Sequence, residues 1–285
     1  MRIVFIGHSV AVKKCIQKLE STSHEVVALF THPREDHQRD LEIYDQRRDL
    51  FGDYGYDVFQ LHQDFQIPVH EYDNLSDEKW ISEIKKYTPD LICTIGCRDI
   101  LTSEFIRSFN KVINLHPYHL PFFRGAGIDT WMILQGQSGK EQRATCHFIT
   151  PRIDAGQIIA TAPYLIPEEA RPIDIFKVRM DTLGGLLISA LDALDNGSND
   201  FKDQQESDSV YYPRLRTMRD GRILFNQWGG KEIALFIRAF SYPYEGAWCE
   251  VDKEMYHFHS CDFIPHDDVH PFALGIISRK SEKEI

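Results

Sequence analysis

Asn114, His116 and Asp154 are the residues whose types and spacing allow chemistry. Two stretches hold them: Lys111 to Gly125, reading Lys-Val-Ile-Asn-Leu-His-Pro-Tyr-His-Leu-Pro-Phe-Phe-Arg-Gly, and Arg143 to Ile159, where Thr145, His147 and Ile153 precede Asp154. Val112 to His116 reads as a short buried strand stopped by Pro117, and the two-residue period of a strand sends Asn114 and His116 to the same side. An amide donor and a group that exchanges protons near neutral pH thus leave a strand end together, where open α/β sheets bind ligands. Each alone has a plainer reading, since Asn and Pro end strands and a single His is more often a hydrogen-bonded structural residue. The second stretch changes the balance. It reads as strand, turn with Asp and Gly, and strand, and it offers a carboxylate from a loop able to reach His116.

The elements that must position these groups follow from the whole chain. At 285 residues, 42% hydrophobic and 26% charged, it has room for one large domain and a small one. No apolar run approaches a membrane span, and Met1 to Gly7 is interrupted too quickly for a signal peptide, so the expected location is cytoplasmic and no membrane partner is expected. Six scattered cysteines read as reduced core thiols. A net charge of -11 opposes a phosphodiester polymer.

Arg2 to Ile6, Glu25 to Phe30, Ile67 to Val69 and Asp90 to Ile95 predict strands, and Ala11 to Glu20, Asp77 to Tyr87 and Ile128 to Leu134 predict helices. Thr31 to about Asp64 is acidic and His-rich and reads as a solvated loop with a short helix near Tyr54 to His62. Thr145 to Ile149 and Ile158 to Leu165 complete the sheet, and Pro172 opens a long helix ending at Asn196-Gly197. This alternation predicts an α/β fold with a Rossmann-like, mostly parallel sheet covered by helices on both faces. The turn Gly7-His8-Ser9 lacks the dinucleotide fingerprint, so a nicotinamide cofactor is not supported. Gly7-His-Ser9-Val-Ala11 approximates a hydrolase nucleophile elbow, but Ala stands fifth and no strands precede it; Ser9 reads as a helix cap or a substrate contact. Polar Asn196 to Ser209 is the linker candidate. It divides 1-215, the candidate catalytic domain, from 216-285, a small β-rich C-terminal domain with strands at Ala247 to Val251, Met255 to Phe258 and Ala273 to Ser278. His257, His259 and Cys261, near His266 and His270, have spacings atypical of structural zinc, and no metal is expected.

Taken in order, Asn114-x-His116-Pro117, Leu120-Pro-x-x-Arg124-Gly125, the Trp131-x-Ile-Leu-x-Gly136 helix, Thr145-x-His147 and Ile153-Asp154-x-Gly156-x-Ile158 resemble the 10-formyltetrahydrofolate-dependent formyltransferases. The resemblance reaches weakly from the first strand to about residue 250. It implies that Asn114, His116 and Asp154 are the catalytic trio, with no departure from the family pattern. It also implies a folate cosubstrate, 10-formyltetrahydrofolate, held at the loop of Gly96, Arg98 and Ile100, largely by backbone groups, with Thr150 to Asp154 closing the other side. Arg124 would hold a phosphate or carboxylate, or else a salt bridge within the protein.

Family members like this one formylate initiator methionyl-tRNA, glycinamide ribonucleotide or a nucleotide-linked amino sugar. From Arg216 to Ile285 there are nine Lys and Arg against eleven Asp and Glu, which weakens the tRNA reading because phosphate contacts dominate such binding. A nucleotide-linked amino sugar, such as a dTDP-amino sugar used for lipopolysaccharide O-antigen and other surface polysaccharide, is the expected partner, with Ser9, Arg124 and Tyr212 as substrate contacts. No nucleic acid polymer is expected, and a homodimer is compatible with the sequence. A non-catalytic folate-binding module is the reading from another class.

Overall fold

The computed structural model describes residues 1–197 and 200–263. Strands β1 (Arg2–Ile6), β2 (Glu25–Thr31), β3 (Val69–Glu71), β4 (Leu91–Thr94), β5 (Val112–His116), β7 (Glu141–Phe148) and β8 (Ile158–Leu165) form one sheet in the order β3-β2-β1-β4-β5-β7-β8. The first five are mutually parallel, and β7 and β8 are an antiparallel extension. Two-residue strands β6 (Arg124–Gly125) and β9 (Tyr211–Tyr212) pair separately, and β10 (Ala247–Val251) with β11 (Glu254–Phe258) makes an antiparallel hairpin.

Strand alternation divides the core into two layers. Ile3, Phe5, Ile113 and Leu115 pack with the helices α1 (Val10–Leu19), α7 (Asp129–Leu134) and α8 (Pro172–Asp195). Val4, Ile6, Ile92 and Val112 pack on the opposite face with α5 (Glu78–Lys85) and α6 (Ser103–Arg107). Both faces are buried under helices, as parallel strands joined by helices require. The expected α/β architecture, with a small C-terminal β region, is therefore the one observed.

Two expectations need correction. Arg34–Gln46 is a 13-residue helix, α2, inside the passage read as a solvated loop. It is followed by α3 (Arg48–Phe51), two 3₁₀ turns at Gly52–Tyr54 and Val58–Gln60, and α4 (Leu61–Phe65). Helix α2 escapes an apolar count because its one fully buried side chain is His37, stacked on the His8 ring at a centroid distance of 3.6 Å. The third strand also lies two residues later than expected, since Pro68 has no N–H to donate and joins the ladder only through its carbonyl, which accepts from Leu29.

The polar stretch read as a linker is tied back onto the sheet: Lys202 and Ile158 exchange both backbone hydrogen bonds, at 2.8 and 3.1 Å. Short α9 (Thr217–Asp220) and α10 (Gly230–Ala239) follow, and Ile223, Ile237, Ala239 and Phe240 join the main core. The expected strand at Ala273 to Ser278, with His266 and His270, lies outside the described residues.

Candidate active site

Sheet register builds the centre of the site. Asn114 stands opposite Thr94 on β4 and His147 on β7, so three polar side chains form a row across one face at the carboxyl end of β4 and β5. Thr94 Oγ1 donates to Asn114 Oδ1 at 2.8 Å, and Asn114 Nδ2 donates to His147 Nε2 at 3.2 Å. The amide is thereby fixed in orientation and keeps one N–H hydrogen uncommitted. His147 Nδ1 bonds the Phe148 carbonyl at 2.8 Å, which makes Nε2 the acceptor that Asn114 needs. Burial, then the nearby His116, lowers the His147 pKa to about 4, so this imidazole is neutral at physiological pH.

His116 projects from the same face two residues on. Its Nε2 donates to the Phe123 carbonyl at 2.8 Å, since a carbonyl can only accept, and the ring lies edge-on to Tyr118. Its Nδ1 faces Asp154 Oδ1 at 3.8 Å, and His147 Nε2 faces the same oxygen at 3.7 Å. Both exceed hydrogen-bond length. The carboxylate is placed by its other oxygen, Oδ2, which accepts from the Gly125 backbone N–H at 2.9 Å.

The loop between β7 and β8 presents Asp154 in the left-handed region, at φ 49°. Gly156 makes this turn feasible: a Cβ there would lie 1.8 Å from the Phe148 carbonyl oxygen. The structure thus brings the sequence-identified trio together and adds Thr94, His147 and the Phe123 carbonyl. His147 was visible as Thr145-x-His147, but a strand histidine reads as structural until the register shows what it faces.

The remaining candidates sit around this centre with varied commitments. Ser9 caps α1, accepting from the Ala11 N–H at 3.2 Å, and its hydroxyl lies 3.4 Å from Met180 Sδ. Arg124 is buried, with Nη1 on the Glu206 carboxylate at 3.1 and 3.2 Å and Nη2 on Gln204 Oε1 at 3.0 Å, so in this state it makes the internal salt bridge. Arg98 turns away toward the Asp36 carbonyl and the Asp40 carboxylate. Gly96 takes φ 63° against the His8 carbonyl, and Thr150 bonds the Arg152 carbonyl. Tyr212 stacks on Phe123 and leans on Trp131. Ile100, in the loop after β4, and Ile153, in the loop that carries Asp154, are exposed at 69% and 46%.

Solved structures share this architecture at low sequence identity. A sugar N-formyltransferase from a Shewanella species is 16% identical, with a TM-score of 0.65 over 93% of this chain and 99% of that one. A 4-N formyltransferase from Francisella tularensis is also 16% identical, with a TM-score of 0.64 over 92% and 98%. HypX from Aquifex aeolicus, solved in complex with tetrahydrofolic acid, is 18% identical with a TM-score of 0.59 over 90% of this chain. This chain spans about a third of HypX, 36% of its length. WlaRD, a sugar 3N-formyl transferase solved in the presence of dTDP and 5-N-formyl-THF, is 18% identical with a TM-score of 0.61 over 85% and 80%. A family model described as formyl transferase matches residues 1–178, a span that contains all three of Asn114, His116 and Asp154. With well over half of its length matched, the chain belongs to the formyl transferase family.

Proposed function

We propose that this protein transfers a formyl group from 10-formyltetrahydrofolate to the amino group of a nucleotide-linked amino sugar. The observation that carries the reading is the convergence of an oriented amide, an imidazole and a carboxylate at one strand end. The folate is assigned to this edge, where exposed Ile100 and Ile153 offer it apolar contact. With Arg98 turned aside, contact at the Gly96 to Ile100 loop would run through backbone groups and Ile100. The cosubstrate supplies a formyl carbon on nitrogen, open to attack by an amine.

The protein's own residues supply the rest. Asn114 Nδ2 donates its uncommitted hydrogen to the formyl oxygen, where negative charge develops. His116 moves the proton between the attacking and the leaving nitrogen, and Asp154 Oδ1 stands opposite its Nδ1 to stabilise the charged ring. Neutral His147 keeps Asn114 facing the reaction. Arg124, Ser9 and Tyr212 are the proposed sugar-nucleotide contacts, and for Arg124 this requires an anion of the substrate to replace Glu206. The proposal includes a cytoplasmic setting and a product used in surface polysaccharide.

The acceptor class rests on the acidic charge balance, which disfavours a polymer with many phosphate contacts. The test is incubation with 10-formyltetrahydrofolate and a panel of dTDP-, UDP- and GDP-linked 3-amino and 4-amino sugars, with methionyl-tRNA as comparator, read by mass. Addition of one formyl group to one sugar nucleotide, absent with His116→Ala, is expected. Addition to tRNA alone would overturn the acceptor assignment, and tight folate binding without transfer to any amine would favour a binding module.

A further inference from the structure

Residues 201–212 lie beyond the family match and cross both loops that deliver the site. Lys202 pairs with Ile158, and Gln157 donates to Asp203 at 2.9 Å. Farther along, Val210 pairs with Pro121 and Arg124, and β9 lies beside β6. Gln204 stands midway. Its Nε2 donates to the Asp154 carbonyl and to the Gly156 carbonyl, each at 2.8 Å, while its Oε1 accepts from Arg124 Nη2 at 3.0 Å. One side chain therefore holds the main chain at Asp154 and at Gly156 and ties it to the loop whose Gly125 N–H grips the Asp154 carboxylate.

This combination needs a primary amide, which offers two N–H bonds on one atom and an acceptor on the other. It also answers a physical need. Asp154 occupies left-handed backbone, and its Oδ1 stands clear of both imidazoles by more than a hydrogen bond. Neither ring can fix the carboxylate by itself.

We propose that Gln204 is a positioning residue for formyl transfer, anchoring the turn that presents Asp154 to His116 and His147; the catalytic half of this statement rests on the function proposed above. Gln204→Glu separates the contributions, because it keeps an acceptor for Arg124 and removes both donors. Gln204→Ala removes all three bonds, and Gln205→Ala, on the exposed neighbour, is the control.

Two readouts are taken on the full chain. Hydrogen exchange of the Gly125 amide reports whether Asp154 stays in place, with 112–116 as an internal standard for global stability. Formyl transfer, on whichever amine the wild type accepts, gives kcat and KM. Gln204→Glu and Gln204→Ala are expected to accelerate Gly125 exchange about tenfold with 112–116 unchanged. Their kcat should fall about 10- to 100-fold, with KM for the amine within about threefold. Wild-type kcat in Gln204→Glu, unchanged Gly125 exchange, or equal acceleration at 112–116 would each overturn the positioning role. If the wild type formylates nothing, the transfer assignment fails on its own and the exchange result alone decides whether Gln204 holds the turn.

Discussion

The Asp154 carboxylate faces two imidazoles, and their different surroundings give them different work. His147 is sealed in the sheet with its ring nitrogens committed to Asn114 and the Phe148 carbonyl. Replacing it with Phe would leave the Asn114 amide without its acceptor, and kcat is expected to drop about tenfold or more, in line with the cost of an unmet buried hydrogen bond. Asn114→Asp replaces an oxyanion donor by an anion, and a loss of about 10² to 10³ in kcat is expected in the same assay. A second consequence concerns acid. Burial, then neighbouring positive groups, lowers His8 to about 4, His37 to about 3 and His147 to about 4, against an ordinary value of 6.5. The unfolded chain binds these protons first, so the stability from keeping the rings neutral is complete above about pH 6.5 and is lost as pH falls toward about 4. Denaturant midpoints should be flat from pH 7 to 8 and decline steadily below 6.5; a flat profile down to pH 5 would refute this.

At the scale of elements, what the sequence made legible was what is written locally. Asn114 and His116 share a face because of a period of two, and Gly156 marks a turn because its backbone passes too close to Phe148 for any side chain. Gly156→Ala is accordingly expected to displace Asp154 and abolish transfer while leaving the β5–β7 ladder intact, which hydrogen exchange would show. Cross-strand register is not written locally, so neither Thr94 nor His147 could be assigned to Asn114 before the ladders were known. Helix α2 hid for a related reason, since its buried contact is a histidine and composition counts that residue as polar. The strap around Gln204 looked like a linker because polar side chains bonded to a loop have the same composition as polar side chains bonded to water. Helices α7 and α8 show another device that only the fold reveals: Arg179 makes a two-bond contact with buried Asp129 at 2.9 Å, and Tyr118 bonds the same carboxylate. Arg179→Leu should strand that carboxylate and destabilise the protein by about 3–5 kcal/mol in equilibrium unfolding.

For the molecule as a whole, the region after residue 215 shares the core of the part before it. Ile237 and Phe240 are buried in the same cluster as Met132 and Ile133 of α7. A chain cut after residue 215 is expected to expose this apolar surface and to be recovered as aggregate, as light scattering of the purified fragment would show. Among the described residues no helix is long and apolar enough to cross a membrane. The tripeptide Phe123 to Gly125 gives His116 its acceptor and Asp154 its donor through main-chain atoms alone. No substitution at Phe123 deletes its peptide carbonyl, and at Gly125 only proline removes the N–H. Codon-by-codon scanning at Phe123 would therefore report the buried ring that stacks on Tyr212, and not the carbonyl that holds His116. Inserting or removing a single residue between Pro121 and Gly125 would shift both contacts together. The two contacts thus depend on the length of this loop rather than on the identity of the Phe123 side chain.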